Sequence, residues 1–197
     1  MSTSAHWLRE GLHFPSGRLF ASMAGAGFLL AHAGLAYGAS TFSPTSGCTQ
    51  TGDTISCSGD LSAGVSVLNS APETVSTLNV ATPINVPWIS FVSDGVIVIT
   101  SDAAITTQGA GLKSIYAVST NGPAGADVVV TQTGNITSEA EGIFAQRDGA
   151  AGNVTVTQTG DITAQGSGIF ANTFGGVGNV SVTQTGNISS DFGGIDA

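Results

Sequence analysis

Few side chains in this sequence are equipped for reaction chemistry, and their distribution narrows the options. All three histidines, His6, His13 and His32, precede residue 39. Beyond that point a Ser-His-Asp or Cys-His relay has no imidazole, and the commonest zinc ligand is missing with it. Glu139 and Glu141, two apart in SEAEG, are the nearest approach to a general acid and base pair, and a solvated turn explains the same residues. Lys113 and Arg147 are expected in separate loops as surface cations. Gly175-Gly176-Val177-Gly178 begins like a calcium-binding nonapeptide but has Val180 where the aspartate belongs. Gly109-Ala110-Gly111 is followed by no helical pattern, so it reads as a turn and not as a phosphate loop. The expectation is a protein without catalytic, cofactor-binding or metal-binding residues.

The elements that carry these residues begin with a leader. Met1 to Arg18 is polar with two arginines, and Leu19 to Leu35 is apolar and uncharged. That order, ending in the small residues of Ala36-Tyr37-Gly38, predicts a secretory signal peptide over residues 1–38, cleaved after Gly38 or after Ala39. Past the leader two cations face 12 acidic residues, a formal charge of −10, which disfavours nucleic acid and anionic membrane surfaces. Cys48 and Cys57 are the only cysteines, and an even count in an exported chain predicts one disulfide. The turn at Thr51-Gly52-Asp53 lets the pair face each other across a hairpin.

With 41% apolar and 9% charged residues among 197, the chain is expected to fold as one domain. Its second half repeats. Asp127, Asn153 and Asn179 start segments that align without a gap at a period of 26: residues 127–152, 153–178 and the incomplete 179–197. A fixed period of this length marks a solenoid. Within one repeat, Asn153-Val154-Thr155-Val156-Thr157 alternates polar and apolar as a half-buried strand does, Thr159-Gly160-Asp161 turns the chain, and two shorter strands come next, around Ile162 and Ile169. The predicted fold is all-β: a right-handed parallel β-helix over 95–197, with a disulfide-clamped cap and irregular first coils over 39–94. The segment from Phe42 to Leu61 is the expected cap. Since the third repeat stops in line with Ala171, the chain is expected to continue in a longer protein.

The repeat also assigns faces. Ile143, Ile169 and Ile195 stay apolar while Phe144 and Phe170 become Asp196, so the isoleucines are expected inside and the Phe position outside. Gln132, Gln158 and Gln184 share the inward parity of the valines, where stacked amides can bond from coil to coil. Asn135, Asp161 and Asn187 are expected to bond nearby backbone in their turns. Thr155, Thr157 and Thr159 point outward, flanked by Thr131 and Thr133 before and by Ser181, Thr183 and Thr185 after. They form a flat hydroxyl array, the candidate surface for ice or another crystal, and also what β-propensity alone would place on a solvated face.

The leader, the early cysteine pair and the recurrent G-I-[FY]-A and T-Q-T-G-[ND]-I patterns resemble the passenger region of bacterial autotransporters. The resemblance covers most of the chain. It implies a β-helix exported to the cell surface or the medium, with a barrel domain in the outer membrane in the full-length protein. It further implies an adhesive or structural role without catalysis, toward a surface glycan, a protein or another copy of itself. The rival expectation is a fragment of a β-helical carbohydrate-active enzyme.

Overall fold

The computed structural model describes residues 40–70, 75–82 and 85–197. The leader expected over residues 1–38, with Gly38 and Ala39 at its end, lies outside them. The described chain opens with β1 (Thr41–Ser43), the hairpin β2 (Cys48–Thr51) and β3 (Thr54–Cys57), and β4 (Val65–Asn69). Then come β5 (Thr77–Val80) and β6 (Ile89–Ser93), and after them turns of three strands each. These are β7 (Ile97–Ser101), β8 (Ile105–Thr107) and β9 (Ile115–Gly122); β10 (Val128–Thr133), β11 (Ile136–Ser138) and β12 (Ile143–Gly149); β13 (Val154–Thr159), β14 (Ile162–Ala164) and β15 (Ile169–Phe174); and β16 (Val180–Thr185), β17 (Ile188–Ser190) and β18 (Ile195–Asp196). Equivalent strands of successive turns pair in parallel, giving a β-solenoid of about five turns with three faces. No helix interrupts it among the described residues.

The 26-residue period is what keeps the ladders in register. Val128, Val154 and Val180 pair in line, as do Ile136, Ile162 and Ile188 on the second face and Ile143, Ile169 and Ile195 on the third. The alternation of each strand then sends one column inward and the next outward. The inward columns make the core. Ile55, Leu78, Ile99, Val130 and Val156 form one such column, fully buried, and Val65, Ile89, Ile115, Ile143 and Ile169 form another.

Where three short strands meet at corners, the ladder is interrupted and backbone groups need other partners. Inward-facing polar residues at strand ends supply them. At one corner Gln132, Gln158 and Gln184 donate to the carbonyls of Ala103, Gly134 and Gly160 at 2.6, 2.8 and 2.8 Å. These amides do not bond one another as the sequence suggests. Each spends its N–H on a corner carbonyl of the preceding coil, which leaves its own Oε1 without a partner. At a second corner the Ser138 hydroxyl donates to the Glu141 carbonyl at 2.9 Å. The third corner is lined by Asn69, Ser93, Ser119, Arg147 and Thr173, one inward column.

Arg147 overturns the expectation of a surface cation. It lies inside β12, 1% exposed, because continuing the alternation from Ile143 inward and Phe144 outward brings residue 147 inward again. Its Nε donates to the Ala126 carbonyl at 2.7 Å and one terminal nitrogen to Gly122 and Pro123 at 2.8 and 3.1 Å; the other meets the Asp148 carbonyl. The guanidinium thereby satisfies carbonyls at the end of β9 and in the loop that follows it, a task that Ser119 performs one coil earlier by donating to the Gly95 carbonyl at 2.7 Å.

Polar side chains also form ladders outside the core. Asn135 accepts from the Asp161 N–H at 2.9 Å, and Asp161 from the Asn187 N–H at 2.8 Å, so these residues bond one full coil ahead and not within their own turn. Asp127 and Asn153 do the same at the neighbouring corner, accepting from Asn153 and Asn179 at 2.7 and 3.0 Å. The first column has one carboxylate between two amides and the second one carboxylate followed by two amides, so no two like charges stack at the ~4.8 Å strand spacing.

The N-terminal strands pair differently. β1 runs antiparallel to β4, and β2 antiparallel to β3 with Cys48 opposite Cys57 in a disulfide. Both add to the first edges of the two long sheets, and Phe42 packs on the core. Ladders continue in parallel from β3 through β5 to β7, and from β4 through β6 to β9, so β3 to β6 share the sheets of the repeats.

Candidate functional site

The solenoid presents three outward faces, and each is a set of columns. On the first, all eight hydroxyl residues of the expected array lie at outward positions. Thr131, Thr157 and Thr183 make one column, which Thr100 extends by a coil; Thr133, Thr159 and Thr185 make a second. Thr155 and Ser181 make a third, but it meets Val129 and Val98 in the preceding coils, so the hydroxyl grid is complete only across two columns. The second face carries another column, Thr106, Thr137, Thr163 and Ser189, in a shallow groove with Glu139 and Asp191 at its margin.

Glu139 and Glu141, the nearest approach to a carboxylate pair in the sequence, are engaged by different groups. The Glu139 carboxylate accepts from the Gly109 N–H at 2.8 Å, while Glu141 meets Lys113 at 3.4 Å. Among the described residues no three metal-ligating side chains gather, and no helix is long and apolar enough to cross a membrane. Asp60 is held below the ordinary carboxylate range because the Ser62 backbone N–H and hydroxyl bond its charged form. It sits in a solvated turn of the N-terminal segment.

The third face is the chemically distinctive one. Its outward column runs Ser66, Ser90, Tyr116, Phe144, Phe170, Asp196. Strand spacing brings the rings into contact: Tyr116 and Phe144 have centroids 5.4 Å apart at 31°, and Phe144 and Phe170 stack at 4.8 Å and 10°. Lys113, carried by a β8–β9 connection longer than its counterparts, lies beside this column with its ammonium 5.2 Å from the Phe144 centroid and 5.7 Å from that of Tyr116. Before Tyr116 the rings stop. There the surface opens into a slot of about 350 Å³ between Trp88, Tyr116, Leu112 and Lys113, with Ser66 and Ser90 at its base.

Two backbone features shape the slot. Gly64, at φ +80°, lies directly under the Trp88 indole, and a Cβ there would come within 2.4 Å of the ring. The facing wall is the turn of Gly109 to Leu112, closed by the Leu112 N–H donating to the Gly109 carbonyl at 3.1 Å and tied to the next coil through Glu139. The sequence pattern places Phe144 and Phe170 outward but gives no sign of Trp88, which lies before the clear repeats and has no counterpart to align. The G-I-[FY]-A pattern is the usable signal for Tyr116, because Ile115-Tyr116-Ala117 matches Ile143-Phe144-Ala145.

No family model, no curated protein and no solved structure matches the chain.

Proposed function

We propose that this chain is an exported, autotransporter-like passenger segment whose solenoid faces act by adhesion or self-association, without catalysis of their own. The observation that carries the reading is the in-register repetition of outward columns along the axis, which offers the same side chains to a partner coil after coil. Weak contacts repeated on one rigid surface add by effective concentration, so an extended partner is favoured over a small soluble one. Glu139 and Glu141, engaged by different groups, support the non-catalytic side of the proposal.

The test uses residues 40–197 coupled to fluorescent beads. The beads are expected to clump with one another or to settle on epithelial cell layers above albumin-coated controls. Beads that stay dispersed and unbound overturn the reading. Export is checked separately by expressing residues 1–197 in a Gram-negative host, where the periplasmic product is expected to begin at Ala39 or Ser40. A second reading, binding to ice or another crystal, rests on the two complete threonine columns, spaced about 4.8 Å along the axis and ~6.7 Å across it. It predicts thermal hysteresis above that of a control protein.

A further inference from the structure

We propose that the slot between Trp88 and Tyr116 binds one neutral pyranose ring of a glycan, with the sugar occupying the next place in the aromatic column. This deepens the adhesive reading and rests on it for biological meaning, but its chemistry stands on the slot. Tyr116, Phe144 and Phe170 occupy successive rungs of one ladder, and the two rungs before them are Ser90 and Ser66. A ring at position 90 would continue the stack on the free side of Tyr116. Serine there leaves a ring-sized gap with hydroxyls at its base, and the slot volume of about 350 Å³ falls in the range of small-molecule sites.

The walls are preformed. The indole of Trp88 rests on Gly64, and the Gly109–Leu112 turn is fixed by its own hydrogen bond and by Glu139. Little ordering is then left to the moment of binding, which is the main cost a weak ligand must overcome. The chemistry of the lining selects the ligand. An aromatic face is electron-rich and attracts the polarised C–H groups of a sugar ring, while serine, tyrosine and lysine groups at the margin donate to and accept from its hydroxyls. Gluco- and galacto-configured pyranosides present such a C–H face.

Charge decides between neutral and acidic sugars. Lys113 is the only lysine after residue 38, and Glu141 lies 3.4 Å from its ammonium. With Arg147 buried, the rest of the surface carries carboxylates, which repel an acidic sugar.

Trp88 is the one tryptophan of residues 40–197, so its emission reads the slot directly. The protein is titrated with methyl β-D-glucopyranoside, methyl β-D-galactopyranoside, cellotriose and lactose. At least one is expected to give a saturable quench or blue shift with a Kd of about 1 mM. Tyr116→Ala is expected to weaken that response at least tenfold. Ser90→Phe places a protein ring in the gap and should abolish the response while melting no lower than the parent, which separates blocked binding from lost folding. No saturable change with any of the four sugars, or parental affinity in Ser90→Phe, overturns the proposal. The bead assay distinguishes the two readings. Beads that adhere equally with and without Ser90→Phe, with no sugar response, remove the slot and keep adhesion; a sugar response with inert beads does the reverse.

Discussion

Arg147 shows how much of this fold depends on one side chain satisfying backbone groups. Its guanidinium reaches the carbonyl that ends β9, two in the loop after it and one next to itself, and Gly152, whose Cβ would lie 2.9 Å from Nε, leaves it room. Truncation to alanine would strand buried carbonyls and open a cavity, so Arg147→Ala is expected to lower stability by about 3 kcal/mol, read as a shift of the urea midpoint. Arg147→Lys should recover less than half of that loss, because an ammonium is a compact point donor and cannot span the same fork. A midpoint unchanged in both variants would mean that the loop finds water instead. The residue is legible in principle: alternation counted on from Ile143 places it inside. Its charge argues for the surface, and parity prevails because the loop carbonyls offer the guanidinium enough partners to replace water.

At the scale of the element, the T-Q-T-G block sets each corner. Gly134, Gly160 and Gly186 adopt φ of +131°, +122° and +119°, and a Cβ on any of them would press within 2.8 Å of a carbonyl of the preceding coil. Gly160→Ala therefore combines backbone strain with a steric clash, and a loss of about 2 to 3 kcal/mol is expected in thermal or urea melts. Thr159→Ala, one residue earlier and exposed, should change stability by less than ~0.5 kcal/mol. The strands, their faces and the hairpin of the cysteines can be read from alternation and period, because those signals are local. The partners of polar groups cannot. Parity suggests that Gln158 bonds the neighbouring glutamines, yet its N–H goes to Gly134, since a corner carbonyl without a ladder partner is the nearer need. Such a preference depends on where the chain breaks its ladder, which periodicity does not encode.

For the molecule as a whole, exact repetition makes large changes milder than small ones. Removing residues 153–178 joins Gly152 to Asn179, the same Gly-Asn junction that both coils already use. β16 then takes the place of β13, with Val180 opposite Val128, and every inward column remains inward. The shortened protein is expected to keep its β-type circular dichroism and a cooperative melt, less stable by the contacts of one coil. Deleting Thr157 alone shifts the strand by one residue and reverses the facing of the strand residues beyond it, and it should cost more than losing the whole coil. Equal or greater damage from the coil deletion would show that the coils are not interchangeable. The slot lies at this scale too, since its walls come from three coils and only the Tyr116 wall belongs to the recurring pattern.

The burial of Arg147 also bears on attack by proteases. Past residue 38 the chain offers trypsin-like proteases two peptide bonds, those after Lys113 and Arg147. At the second, the Arg147 side chain that such a protease must seat in its specificity pocket is buried in the solenoid, and the first leads into Ser114, which is fully buried and bonded to Thr107 at 2.7 Å. Native protein is expected to outlast a digestion that reduces its urea-unfolded form to the three pieces 40–113, 114–147 and 148–197. Resistance to digestion is then a property of the coil itself, obtained by keeping basic residues few and placing one of them where no enzyme can reach.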